Sequence, residues 1–321
     1  QPYTAELQAL GVEVLHGQYY KNNWYQWLQK YSPQIDTIYL NRPHISSKYI
    51  DKIRALEHQP YVAYHGADLH YVRVAREDSL GITPGDGLSS ADWKEIEFDI
   101  MRKCDISLWL SQNEVDLIQT EDASLNVKYK PMYWFEESYF DNERAVVNSK
   151  QLLFVGGFGH PPNKDGLEWF LKDIYPFILA RHPTCKLTVI GSNCPDEIKQ
   201  LESENLAILG YVSEQELINA YSDARVAIVP LRYGAGVKGK VIESMKYGVP
   251  VVTTSIGAEG LPSDPTDFLA VADDAEMFIT ELNALLESNQ LCKAKIDKSD
   301  DILKSYFSVE AAKTAVKTLL P

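Results

Sequence analysis

The chain has 321 residues, 45% of them hydrophobic and 24% charged, which is the composition of an ordinary globular protein long enough for two domains. A formal charge of −14 and a sequence pI near 5.0 exclude a basic nucleic-acid-binding surface. Apolar runs such as VAIVPL are too short to span a bilayer, and Cys104, Cys185, Cys194 and Cys292 form no CxxC pair, so reduced thiols and a cytoplasmic setting are expected.

In chain order, PYTAELQALG reads as the end of a helix closed by Gly11, and VEVLHG as a strand. A nucleotide-binding α/β domain should open with a strand and a Gly- or Ser-rich loop before that helix. The first strand is therefore expected to have been removed, to be disordered, or to come from residues upstream of Gln1. WYQWLQKYSP follows as an amphipathic helix, DTIYLN as a strand, SSKYIDKIRALEH as a helix, and YVAYHGADLH as a strand with its carboxyl end. EDSLGITPGDGLSS has the composition of a mobile loop. Residues 91–103 read as helix, DISLWLS as strand, QNEVDLIQ as helix and VKYKPM as strand. FEESYFDNERAVVNSK has no period and serves as the linker.

The βα rhythm restarts at QLLFVGGFG. DGLEWFLKDIYPFILARHP is helix, KLTVIGS strand, DEIKQLES helix, LAILGYV strand, SEQELINAYSDA helix and RVAIVPL strand. Asp273 and Asp274, and again Asp300 and Asp301, read as helix starts, where negative charge suits the helix dipole. DFLAVAD and AEMFITELNALLESN add a strand and a helix, and SVEAAKTAVKTLL closes the chain as a helix. Short apolar strands alternating with helices imply parallel sheets with helices on both faces and ligands at the strands' carboxyl ends. The division expected is 1–146 and 147–321, with a last helix over about 308–321 able to pack back on the N-terminal domain.

After RVAIVPL comes YGAGVKGKVIESMKYGVPVVTT, in which VIESMKYG reads as a helix and VPVVTT as a short buried strand. Gly234, Gly236 and Gly239 allow close backbone approach, a helix start offers unpaired N–H groups, and Lys238 and Lys240 add charge; together they read as a diphosphate cradle. Glu243, about one turn into the helix, is suited to two vicinal hydroxyls; the plainer alternative is a solvated pair with Lys240. GGFGHPPNKDG, with Gly156, Gly157, Asn163 and Lys164, is either a second wall of the cleft or a plain βα turn. YHGADLHYVR places His65, Asp68, His70 and Arg73 at a strand's carboxyl end, fit for proton transfer, hydroxyl contact or a structural turn. No third distant ligand joins His-Asp-His, so no metal site is expected. The aromatic clusters Trp24, Tyr25, Trp27 and Tyr133, Trp134 read either as the lining of a cleft or, by default, as core packing.

FVGGF..PPN.DGL.WF, then VIGS, LGYV and PLRYGAGVKGKVIESMKYGVPVVTTSIGAEG, in that order, resemble the donor-binding half of retaining glycosyltransferases of family 4, the group 1 glycosyltransferases. The resemblance covers roughly residues 150–321 and, more loosely, YHGADLHYVR and CDISLWLS. It implies the GT-B fold: two Rossmann-like domains with parallel sheets facing across a cleft, the N-terminal one here lacking its first strand. It further implies that Glu243 binds the donor ribose, that Gly236, Val237 and Lys238 contact sugar and diphosphate, and that Lys240 faces the phosphates. Tyr211 and Val212 would lie at the base and Glu259 near the sugar, with His65 at the reacting centre beside Lys238 and Asp68, His70 and Arg73 on the acceptor side.

Two departures stand out. Ala235 occupies the first acid position of the family's paired-glutamate motif. Gly157 and Asn163 occupy its usual arginine and lysine positions, leaving Lys238, Lys240 or Lys164 to meet the phosphates. The expected activity is metal-independent transfer, with retention, from a UDP-, GDP- or dTDP-sugar to a glycan, polysaccharide or lipid-linked acceptor. No cofactor and no nucleic acid are expected, and peripheral contact with the inner face of the membrane is compatible. The alternatives are a catalytically silent glycosyltransferase-like module or partner subunit, and a sugar-nucleotide 2-epimerase.

Overall fold

The structure, a computed structural model, describes residues 4–82, 87–131, 135, 146, 149–317 and 319. Two all-parallel sheets organise it. The first comprises β1 (Thr37–Asn41), β2 (Tyr61–His65), β3 (Ile106–Trp109) and β4 (Val127–Tyr129), in the order β1-β2-β3-β4. The second comprises β5 (Gln151–Val155), β6 (Lys186–Ile190), β7 (Leu206–Gly210), β8 (Val226–Val229), β9 (Val251–Thr253) and β10 (Ala270–Val271), in the order β10-β9-β8-β5-β6-β7. Strand order therefore reverses between β8 and β5, and a doubly wound sheet opens its ligand crevice at the carboxyl ends of such a pair.

Helices pack on both faces of the second sheet. Leu152, Phe154 and Leu187 turn to one core with α8 (Pro161–Asp173) and α14 (Ala275–Glu287), while Leu153, Ala227 and Val251 turn to the other with α12 (Gly239–Lys246) and α15 (Asn289–Phe307). Alternation along each strand delivers neighbouring residues to opposite cores. Several helix starts carry a side chain that accepts from the first-turn N–H groups, although that of α12 does not. Ser213 and Glu216 form a capping box on α11 (Glu214–Asp223), and Asp274 caps α14.

Several expected elements differ. Residues 12–17 form no strand: a strand requires a ladder partner, and beside them the free edge of β1 borders an apolar cavity of about 920 Å³ lined by Leu15, Trp24, Trp27, Ile38 and Tyr49. The helix expected over SSKYIDKIRALEH is only the short α4 (Ile50–Arg54), and a separate turn of helix, α3 (Pro43–Ser46), precedes it. The strand in YVAYHGADLH ends at His65, and α5 (His70–Ser79) follows where no helix was read. The expected mobile loop thus begins inside α5, and residues 83–86 of it lie outside the described residues, as does most of the linker with Tyr133 and Trp134.

The helix over DGLEWFLKDIYPFILARHP breaks at Ile174, because Pro176 must lie in the first turn of a new helix, α9 (Tyr175–Arg181). Asp300 and Asp301 lie inside α15 and start nothing. After α15 the chain returns: Val309 N–H donates to Phe135 O at 3.0 Å, α16 (Val309–Lys317) begins, and Ala315 and Leu319 pack on Ala63, Ile106 and Leu108 of the first sheet. The four cysteines are free thiols, three of them buried.

Candidate functional site

At the switch point, β5 ends at Val155 and the chain turns through Gly156 and Gly157 to His160, which precedes α8. Pro161 and Pro162 fix the first turn of α8. Asn163, one turn in and buried, donates to Gly157 O at 2.7 Å and accepts from the Lys240 ammonium. A Cβ on Gly156 would stand 2.9 Å from both Lys240 Nζ and Asn163 Cγ, so glycine is what lets the lysine lie across the strand end. The Lys240 ammonium also sits 5.5 Å from the Phe154 ring centroid. Loss of hydration, then the Lys238 charge, pushes the Lys240 amine down to about 7. Of the two walls read from sequence, the GGFGHPPNKDG turn is thus joined to the cradle through Asn163. Lys164 is not: it pairs with Glu197 at 2.7 Å and Glu168 at 3.7 Å on the surface.

Lys238 is buried and held inward. Its ammonium donates to Ala235 O at 3.0 Å and to Gly236 O, and lies 3.7 Å from Glu259 Oε2. Loss of hydration holds its amine below the ordinary lysine range. Glu243, on α12, accepts from the buried Tyr221 hydroxyl at 3.1 Å, and Tyr221 stacks on Tyr247 at 4.6 Å. The solvated Glu243–Lys240 pair is therefore absent among the described residues: one partner is taken by Tyr221 and the other by Asn163. At the far end of the crevice, beyond β7, Tyr211 is 83% exposed and Val212 packs on the second-half core.

The first half meets this surface through the bend after β2. Gly236, at φ 68°, lies so close to it that a Cβ would stand 2.9 Å from Asp68 Cβ. Ala67 takes φ 74°, an uncommon conformation for a residue with a side chain. Two buried carboxylates hold the bend. Glu114 Oε1 accepts from Leu69 N–H at 3.0 Å, and Glu97 accepts from His70 N–H at 2.8 Å and Tyr71 N–H at 3.2 Å. Burial, with Asp68 nearby, pushes Glu114 up to about 8, and its Oε2 has no hydrogen-bond partner. Burial opposes the charge on His70, but the Glu97 and Asp68 carboxylates outweigh it and raise its imidazole.

His65 makes its hydrogen bond within the first half. Its Nδ1 lies 3.2 Å from Leu108 O, the tautomer that donates there leaves Nε2 as acceptor, and its charged neighbours, Lys130 and Arg42, belong to the first half. His160 is the histidine placed among groups from both halves: loss of hydration, then Lys240, pushes it down to about 4, with Asp68, Arg73 and Lys238 also near. Its signal was present in GGFGHPPN as the residue before a Pro-Pro helix start. Arg73 lies 3.5 Å from Asp68 and 3.3 Å from Glu77. Arg76, also unread, binds Glu259 through two hydrogen bonds of 2.8 and 2.7 Å.

Residues 149–288 match the family model described as glycosyl transferases group 1. An uncharacterised 44.6 kDa protein in the cps region of Klebsiella pneumoniae is 29% identical over 187 residues, 56% of this chain and 47% of that protein. The chain is also similar to three solved structures. TarM of S. aureus gives a TM-score of 0.71 at 13% identity, over 92% of this chain and 57% of TarM. Sucrose-phosphate synthase from Thermosynechococcus elongatus gives 0.71 at 16%, over 96% and 79%. HepE of Anabaena, in complex with UDP-glucose, gives 0.72 at 15%, over 99% and 89%. The match thus spans about half the length of the Klebsiella protein and of TarM. The paired parallel sheets and the likeness to these structures give the chain the GT-B fold, and residues 149–288, within the half that forms the crevice, match the glycosyl transferases group 1 model.

Proposed function

We propose that the chain transfers a sugar from a nucleotide-sugar donor to a glycan, polysaccharide or lipid-linked acceptor, with retention of anomeric configuration and without a metal ion or organic cofactor. In this reading residues 147–321 hold the donor and residues 1–146 face the acceptor. The observation that carries it is the placement of Lys240 and Glu243 on one helix at the switch point, the ammonium over Gly156 and the carboxylate oriented by Tyr221. An ammonium at a helix start suits a diphosphate, and a carboxylate one turn on suits ribose hydroxyls. Lys238 then shapes the loop, while Lys240 meets the phosphate.

As the bond from sugar to diphosphate breaks, negative charge grows on the leaving group and positive charge on the sugar. Lys240 and the first N–H groups of α12 stabilise that leaving charge in a preorganised, poorly hydrated site. Asp68 and Arg73 stand near His160 from the first half, with His70 3.8 Å from Asp68, and in this reading the acceptor hydroxyl arrives on the face that the diphosphate leaves. Closure of the two halves keeps water from competing.

TarM has been solved with UDP and alpha-GlcNAc-glycerol, and HepE with UDP-glucose, which supports UDP as the first nucleotide to try. The test is nucleotide release from UDP-, GDP- and dTDP-sugars, with Lys240→Met, Lys238→Ala and Glu243→Ala as controls. Turnover lost in Lys240→Met and Glu243→Ala is expected. Tight nucleotide binding without turnover on any acceptor would assign a silent module instead, and absence of binding would overturn the donor-site reading.

A further inference from the structure

Arg76 belongs to α5, in the first half, yet the hydrogen bonds of its guanidinium go to the second. One nitrogen donates to Gly234 O, and the two terminal nitrogens grip Glu259 at 2.8 and 2.7 Å. Among the described residues this is the single side-chain ion pair that joins the two halves. Lys238 takes the next two carbonyls, Ala235 O at 3.0 Å and Gly236 O, and also faces Glu259 at 3.7 Å. Three successive carbonyls of the cradle are thus each held by a cation, and both cations meet on one carboxylate.

The loop needs such restraint. Gly234 and Gly236 sit at φ 139° and 68°, where glycine has little local preference to hold a shape. The forked guanidinium is suited to the task because it fixes direction as well as distance, which a lysine ammonium does not. Neighbouring contacts reinforce the closure: a Cβ on Gly260, next to Glu259, would stand 2.6 Å from Ser111 Cβ, and Gly236 abuts Asp68.

We propose that Arg76 is a positioning residue for the donor loop, fixing the Gly234 carbonyl and the Glu259 carboxylate from the opposite half so that residues 234–236 reach their working shape only when the halves are closed. This rests on the donor-site reading above and deepens it. The donor loop's geometry becomes conditional on the acceptor-side half, so a nucleotide sugar is gripped for transfer only in the state that excludes water. A residue of the first half thereby governs donor recognition.

The test compares the full-length wild-type chain with Arg76→Met and Arg76→Lys. Without any ligand, amide hydrogen exchange in peptides covering residues 233–240 should speed up about tenfold in Arg76→Met and less in Arg76→Lys, while peptides from β6 and β7 stay unchanged. In steady-state transfer, the donor KM should rise about tenfold and the acceptor KM should not move. Unchanged exchange at 233–240, or a rise in acceptor KM alone, would overturn the proposal. If the wild type turns over no nucleotide sugar, the donor reading fails separately, and the exchange comparison still decides the role of Arg76.

Discussion

The sharpest quantitative consequence concerns Lys240. Its amine, stripped of water and facing Lys238, sits at about 7 in the free protein. A bound diphosphate brings negative charge next to it and restores the ordinary lysine range, so donor binding takes up a proton wherever the free amine is neutral. The sign is fixed by that order: the bound state holds the proton more tightly, so affinity falls as pH rises above the free-state value. Near pH 7 about half the sites are already charged and the penalty is small. At pH 8.5 recharging costs about 2 kcal/mol, which weakens Kd roughly thirtyfold.

The measurement is titration calorimetry with a nucleotide sugar, whose diphosphate does not titrate in this range, between pH 6 and 8.5. Two buffers of different ionisation enthalpy report the proton uptake. Lys240→Met loses a charge-assisted hydrogen bond of about 1.5–3 kcal/mol at pH 6, and its Kd should be flat with pH. The two proteins should approach one another at pH 8.5. A flat wild-type profile, or an equal slope in Lys240→Met, would refute the placement of the phosphate on Lys240.

Gly156→Ala should push Lys240 and Asn163 apart, because the new Cβ would stand 2.9 Å from each; donor affinity should fall about tenfold, with the melting temperature little changed. Glu243→Gln should weaken donor binding by about 1.5–3 kcal/mol, while Tyr221→Phe, which only frees the carboxylate to turn, should cost about 1 kcal/mol, both read by calorimetry. Glu114 is raised to about 8 from an ordinary 4.5, so the folded state keeps a proton that the unfolded chain releases, and stability should fall between about pH 4.5 and 8 by up to about 5 kcal/mol. Glu114→Gln should remove most of that slope in denaturant titrations across the range; an unchanged slope would show that Glu114 is ionised when folded.

What the sequence made legible is what local grammar encodes. Glycines, lysines, a helix start and a short apolar strand stand together in YGAGVKGKVIESMKYGVPVVTT, and the structure keeps them together. The helix α5 escaped because its buried positions are His70, Tyr71, Val74 and Glu77, two of them polar, so the apolar stripe that betrays a helix is broken. α15 carries a clearer period, Cys292, Ile296, Ser299, Leu303 and Phe307, hidden by small and polar members. Residues 12–17 misled in the opposite direction, since an alternating pattern supplies a face but not a ladder partner.

The departures from the family pattern show why the site itself was only half legible. Asn163 and Gly157 stand where cationic side chains are usual, and along the chain that looks like a loss of phosphate charge. In space it is an exchange. Asn163 is short and neutral, so it leaves room above Gly156 and offers an acceptor to Lys240, which comes from 77 residues away. A lysine at position 163 would instead oppose an amine already pushed to about 7. The same logic covers the cradle loop, where Ala235 contributes no carboxylate and Glu259 supplies one beside it, anchored by an arginine from the other half. Charge in this crevice is set by which residues the two sheets bring to one edge, and that depends on strand order and closure, two properties that no local motif records.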